Sequence, residues 1–300
     1  MEAIEALKKT IHVTRELQSL VRTMKVLAGL NIRQCERAAH GVAEYNRTIE
    51  MGLQIALRGL PEPILPPRGA ASPKLGAIVF GSDQGMCGQL NDVIVGHALQ
   101  ALAKLRRRRP DQSIIAVGVR AAGQLENSGR TVEAVLEVPG SPGGIGDTVH
   151  QTFPHVEEWR RRGIEMIVVF YCRLATGVFY RPRGKLLLPV DAAWIHSLKV
   201  KPWPSKVIPT TFMETESLFH ALIREYLFAS LFRAFAESLA SENASRLASM
   251  QVAERNIEDR LKALTSEFHQ CRQAAITSEL LDIISGFEAL KEKKTPASGM

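Results

Sequence analysis

Apolar residues recur at helical spacing along both ends of the chain, and a shorter, strand-like pattern lies between them. From about Glu214 to Lys291 one stripe runs from Leu218 through Tyr226, Leu239, Met250, Ile257, Leu264 and Cys271 to Leu281. Proline is absent between Pro209 and Pro296 and glycine between Gly184 and Gly286, so no residue there breaks a helix. At a rise of ~1.5 Å per residue such a helix reaches on the order of 110 Å, far beyond one small domain, and needs a partner to cover it. At the other end, residues 1–58 lack proline, and Ile4, Leu7, Ile11, Thr14, Leu17, Val21, Met24 and Ala28 follow a three-and-four spacing. Lys8, Arg15, Arg22, Lys25, Arg33 and Arg37 occupy its other faces, either solvated or facing a partner. Pro61, Pro63, Pro66 and Pro67 then end the helix and mark a domain boundary.

From Lys74 the period changes. Strands are expected over 75–80, 113–117, 131–138 and 166–172, alternating with helices over 91–108, 120–128 and 148–162. A hairpin and an extended connection are expected over 176–207, where four prolines fall between Pro182 and Pro204. Strands alternating with helices imply βαβ units and a mainly parallel sheet. The fold class is therefore α/β: a long antiparallel coiled coil of the N- and C-terminal helices (residues 1–60 and 210–291) with an inserted Rossmann-like α/β domain (residues 74–209). The last residues, 291–300, are expected to fray.

Composition narrows the function more than the fold. A formal charge of +7 favours an anionic partner, yet aromatic residues are 6% of the chain and nowhere interleave with Arg and Lys as single-strand or RNA binding requires. Cys35, Cys87, Cys172 and Cys271 are widely separated and form no metal-spaced cluster, which suits free thiols in a reducing compartment. No signal-peptide pattern opens the chain, and no apolar run approaches the roughly 20 residues that cross a bilayer. A cytosolic chain whose membrane association comes through a partner is expected.

Four stretches could carry chemistry. Gly81 to Asn91 follows a strand and precedes a helix, the position of phosphate-binding loops, but its glycines fit neither GxGxxG nor GxxxxGK[ST], and no lysine follows. Asp83 is expected there to cap the Gly85 or Met86 amides. Cys87 near a helix start is a conceivable nucleophile, with no histidine close in sequence. Arg106 to Arg109 ends a helix, where cations complement the dipole. Within the long C-terminal helix, Ala240 to Met250 is dense in small residues that admit another backbone closely. Further on, Arg272, Gln273, Thr277 and Glu279 sit on a helix whose other face is apolar, where i,i+4 surface pairing alone would contribute only a few tenths of a kcal/mol.

Taken together, these stretches resemble the gamma subunit of F-type ATP synthases, the central rotor stalk of the F1 sector. Leu17 to Met24 resembles the family's TQKITKAM, Ser82 to Asn91 its SDRGLCGGLN, Ala240 to Met250 its ASExxARMxAM, and Phe268 to Leu280 its YNxxRQAxITxEL. The chain departs from the family at Val26 to Asn31, where MVAASK is usual, and residues 92–210 match only in layout. The resemblance implies a non-catalytic subunit without a cofactor, transmitting torque between a membrane c-ring and the alpha and beta subunits. It places Arg272, Gln273, Thr277 and Glu279 against a beta-subunit loop, and Met24 and Lys25 near the acidic beta lever. Ser241, Glu242, Ala244, Arg246 and Met250 would pack closely in the coiled coil. Asp83, Gly85, Cys87, Gly88 and Asn91 would sit at the foot, near epsilon and the c-ring. The implied location is peripheral, on the cytoplasmic face of the bacterial inner membrane. The competing readings are a nucleotide-binding enzyme using the Gly81–Gly88 turn and a generic coiled-coil adaptor.

Overall fold

The computed structural model describes residues 2–60, 74–106, 110–175, 178–203, 206–207 and 209–292. The proline segment at 61–73, Arg107 to Arg109 and the end of the tail lie outside those residues. Helix α1 spans Glu2–Gly59 and helix α6 Thr215–Glu292, both unbroken, as the absence of proline allows. Between them run β1 (Lys74–Phe80), α2 (Leu90–Arg106), β2 (Asp111–Val117), α3 (Val119–Asn127), β3 (Ala134–Leu136), α4 (Ile145–Arg161), β4 (Met166–Ala175), β5 (Val178–Leu188) and α5 (Ala192–Val200).

The five strands form one sheet in the order β3-β2-β1-β4-β5, parallel except for the antiparallel pair β4 and β5. Both faces are covered, which is why β1 and β4 read as nearly continuous apolar runs. One face packs Leu75, Ala77 and Val79 on Leu90, Ile94 and Ala98 of α2 and on Ala121 and Leu125 of α3. The other packs Ile78, Phe80 and Val169 on Val149, Val156 and Trp159 of α4, and also on Leu227, Leu231 and Phe235 of α6. Phe235 meets Phe80 edge-on, with ring centroids 4.6 Å apart. The long helix therefore supplies part of one covering layer of the sheet.

The chain falls into two compact units. One comprises Val26–Ser249. In the other, α1 up to Lys25 pairs with α6 from Met250 onward. There Ile11, Val21, Met250 and Leu264 are buried, and Arg22 and Lys25 grip Glu254 at 2.9 and 2.5 Å. Leu17, expected on the buried stripe, is 49% exposed while Gln18 is half-buried, because the seam turns past position 17.

Two expectations for the insert need correction. The strand expected over 131–138 is only Ala134–Leu136, because Glu133 turns its side chain to Ser113, Trp159 and Arg162 and Pro139 follows closely. Within 176–207, the strand β5 is followed by helix α5 rather than by extended chain alone. Asp191 caps it by accepting from the Ala193 amide at 3.0 Å, a local signal that the surrounding prolines obscured.

Burial by itself pushes the Glu133 carboxyl up, but hydrogen bonds from Arg162, Ser113 and Trp159 outweigh it and hold the group at about 2, below its ordinary 4.5. A carboxyl lowered in the folded state stabilises fully above its unfolded value and loses that contribution as pH falls toward the folded one. Glu133→Gln is therefore expected to flatten the fall in urea midpoint between about pH 4.5 and pH 2. An acid limb as steep as that of the native chain would rule the network out as its source.

Candidate functional site

The strand order reverses between β1 and β4, so the crevice beyond their carboxyl ends is the usual ligand position of a doubly wound sheet. The loop following β1, residues 81–89, lines it. This loop is built from the inside. The Asn91 side chain accepts from the Ser82 amide at 3.0 Å and donates to the Ser82 hydroxyl at 2.8 Å, and Ser82 and Cys87 approach to 3.3 Å, all three residues being buried. Asp83 does cap, but not the turn expected from sequence. Its two oxygens accept from the Val119 amide at 2.9 Å and the Val138 amide at 2.7 Å, so it closes the start of α3 and ties down the chain after β3. Both carboxylate oxygens are thereby engaged by amides 36 and 55 positions away, whose placement only the folded sheet sets.

What fills the crevice is the small-residue stretch of α6. The Ser245 hydroxyl donates to the Cys87 carbonyl at 2.5 Å. Gly88, with φ +56, passes so close that a Cβ there would lie 3.2 Å from the Ser245 hydroxyl and 3.3 Å from that of Ser249. On the same stretch Ser241 is buried and donates to the Glu237 carbonyl at 2.8 Å, Ala244 is buried, and Glu242 and Arg246 form a buried pair at 2.6 Å. Cys35 of α1 packs against Leu239 and Ala240, and Asn31 reaches Asn243 at 3.5 Å. The small residues thus admit two neighbours: α1, through Asn31 and Cys35, and the Ser82–Asn91 loop, which the sequence did not connect with them. Two facts remove the phosphate reading. The Ser82 amide is taken by Asn91, and the carboxylate of Asp83 stands in the loop where a phosphate would need donors.

Along α6 beyond Ala275 the situation inverts. Every described side chain from Ile276 to Phe287 is exposed, including Leu280, Leu281, Ile283 and Ile284. Arg272, Gln273, Thr277 and Glu279 are exposed as well, and among the described residues neither Arg272 nor Glu279 has an ion-pair partner. The Thr277 hydroxyl donates to the Gln273 carbonyl at 2.9 Å, within its own helix. Met24 and Lys25 are half-buried, the latter engaged by Glu254. None of the described helices is long and apolar enough to cross a membrane.

A sequence model of the ATP synthase family described as "ATP synthase" matches residues 3–290. The chain belongs to the ATP synthase gamma family. The chain is 26% identical over 303 residues to the ATP synthase gamma chain of Maricaulis maris, covering 97% of this chain and all of that one. It is 29% identical over 314 residues to that of Magnetococcus marinus, with the same coverage. Among solved structures, a chain of the Euglena gracilis mitochondrial ATP synthase, from its OSCP/F1/c-ring assembly, shares the fold with a TM-score of 0.65 at 17% identity, over 100% of this chain and 98% of that one. Gamma chains are the non-catalytic central-stalk subunit of the rotor, with ATP chemistry on the beta subunits, and this chain is such a subunit. In this chain the usual ligand position of the sheet is occupied by Ser245 and its neighbours on α6.

Proposed function

We propose that this chain transmits torque between the c-ring and the alpha and beta subunits through α6, with its exposed end seated in their ring. The observation that carries this is that the apolar side chains Leu280, Leu281, Ile283, Ile284 and Phe287 near the end of α6 are uncovered, directly following the exposed polar set Arg272, Gln273, Thr277 and Glu279. An apolar tip with a polar collar suits a shaft turning in an apolar bearing, with specific contacts confined to the collar. In this reading those four residues meet a beta-subunit loop, and Met24 and Lys25 lie by the acidic beta lever. A turning, asymmetric shaft then presents a different surface to each beta subunit, and differential contact energy shifts its open and closed states. The α/β unit, with Asp83, Gly85, Cys87, Gly88 and Asn91 holding the joint, rests by epsilon and the c-ring, on the cytoplasmic face of a bacterial inner membrane.

Reconstitution with partner alpha and beta subunits tests the contact set. Arg272→Ala and Gln273→Leu, both at exposed positions, are each expected to lower ATP turnover about tenfold through the loss of charge-assisted hydrogen bonds, with the melting of the isolated chain unchanged. Full coupled turnover in both variants would remove these residues from the interface. Failure of the native chain to stimulate the alpha and beta subunits at all would overturn the rotor reading.

A further inference from the structure

Strand β5 carries a row of cations that the chain leaves short of counter-charge. Arg181, Arg183 and Lys185 alternate along the strand and so share one face. Register with β4 sets Arg181 opposite Arg173, Arg183 opposite Tyr171 and Lys185 opposite Val169. Val169 and Tyr171 belong to the core that includes Leu231 and Phe235, so this is the face turned toward α6, where Arg233 joins the row. The buried carboxylate Glu237 is held by Arg233 at 2.8 Å and by Arg173 at 3.6 Å and acts on Lys185, while Arg181 and Arg183 continue the row at exposed positions. Among the described residues Arg181 and Arg183 have no ion-pair partner. Lys185 reaches the Ser230 hydroxyl at 3.3 Å and stands 5.9 Å from the Tyr226 ring. Its ammonium is pushed below the ordinary lysine range, first by burial and then by the Arg233 charge.

Charged residues on an edge strand commonly guard against unwanted pairing. That accounts for the exposed Arg181 and Arg183. It does not account for Lys185, half-buried beside them, nor for the placing of Arg181 directly opposite Arg173, since like charges at facing positions destabilise a sheet.

We propose that this face of β5 binds an acidic segment of a protein partner, an extended stretch with carboxylates at alternate residues. Alternate residues of a strand stand about 6.6–6.8 Å apart, a spacing that such a segment reproduces along the whole row. A single phosphate group at that spacing meets one or two of the cations and leaves the others unanswered. Pro182 sits between Arg181 and Arg183 and has no N–H to donate, so recognition rests on side-chain charge rather than on backbone strand addition.

The test uses the full chain and a fluorescent peptide of alternating Glu and Thr. Arg181→Glu combined with Arg183→Glu is expected to weaken peptide binding about tenfold or more. The same change of net charge elsewhere, Arg255→Glu with Arg260→Glu on exposed positions of α6, is expected to leave binding within about twofold. Equal losses in the two double variants would reduce the effect to overall charge and overturn the proposal. So would the absence of peptide binding by the native chain. A third overturning result is binding of inorganic phosphate, or of phosphatidylcholine vesicles containing phosphatidylglycerol, that depends on Arg181 and Arg183 while peptide binding does not.

Discussion

Glu242→Ala is expected to destabilise the chain by about 3–5 kcal/mol, because it leaves the Arg246 guanidinium buried without its partner. Glu242 is 4% exposed and Arg246 8%, and their single contact, Arg246 Nη2 to Glu242 Oε1 at 2.6 Å, joins adjacent turns of α6. Burial pushes the Glu242 carboxyl up, the Arg246 charge pulls it back, and Asp83 across the joint adds a smaller upward push. The nearby Cys35 thiol is raised to about 12, first by burial and then by Glu242, so it is inert as a nucleophile. Within the chain Glu242 Oε2 and Arg246 Nε have no hydrogen-bond partner among the described residues. The pair is therefore costly to break and of little net worth intact. Replacing both members, Glu242→Leu with Arg246→Met, is expected to restore stability to within about 1 kcal/mol of the native chain or to exceed it. Urea unfolding followed by circular dichroism measures both variants. A single variant as stable as the native chain would show that Arg246 finds water at no cost and that the pair is not a buried one.

Gly118→Ala is expected to cost a similar amount, about 3–5 kcal/mol, for a different reason. Gly118 caps α3 with φ +99 and ψ 129, a region that L side chains rarely enter, and holding one there costs ~1–3 kcal/mol. A Cβ would also lie 2.7 Å from the Ser82 carbonyl carbon and oxygen and 2.8 Å from its nitrogen. Those are backbone atoms that cannot swing aside, and overpacking of that kind adds ~1–3 kcal/mol. Ser82 accepts from the Arg120 amide at 3.0 Å and is held by Asn91, so its displacement disturbs the loop on which Ser245 docks. Gly129→Ala is the control. Its φ is +75 but nothing lies within 4 Å, so only backbone strain of about 1–2 kcal/mol is expected. Equal losses at the two glycines would mean that the Ser82 contact contributes nothing. With the clash operative, amide exchange in the 82–91 loop should accelerate in the Gly118 variant alone.

Much of this architecture is legible in the sequence because it rests on local regularities. Long terminal helices free of proline, the two apolar stripes and the change of period at Lys74 all depend on residues a few positions apart. The three-residue β3 and helix α5 were harder to read. Glu133 is diverted to partners 20 and 29 positions away, at Ser113 and Arg162. Asp191 marks a helix start only if the neighbouring prolines are discounted. The site residues divide in the same way. The Arg272–Glu279 set stands out by composition, whereas Tyr171, Glu237 and Gly118 carry no pattern of their own.

The sequence by itself determined that the chain is two long helices around an α/β insert, and its motifs placed it among gamma chains. It also determined that α6 has more apolar surface than α1 can cover, since that follows from stripe lengths alone. Only the tertiary structure decided that Leu227 to Phe235 cover the sheet, that Ser245 occupies the crevice beyond β1, that Asp83 caps α3, and that Arg173 faces Arg181 across two strands. Each of these joins residues far apart in the chain. Their meeting depends on strand order and register, quantities that no local periodicity encodes.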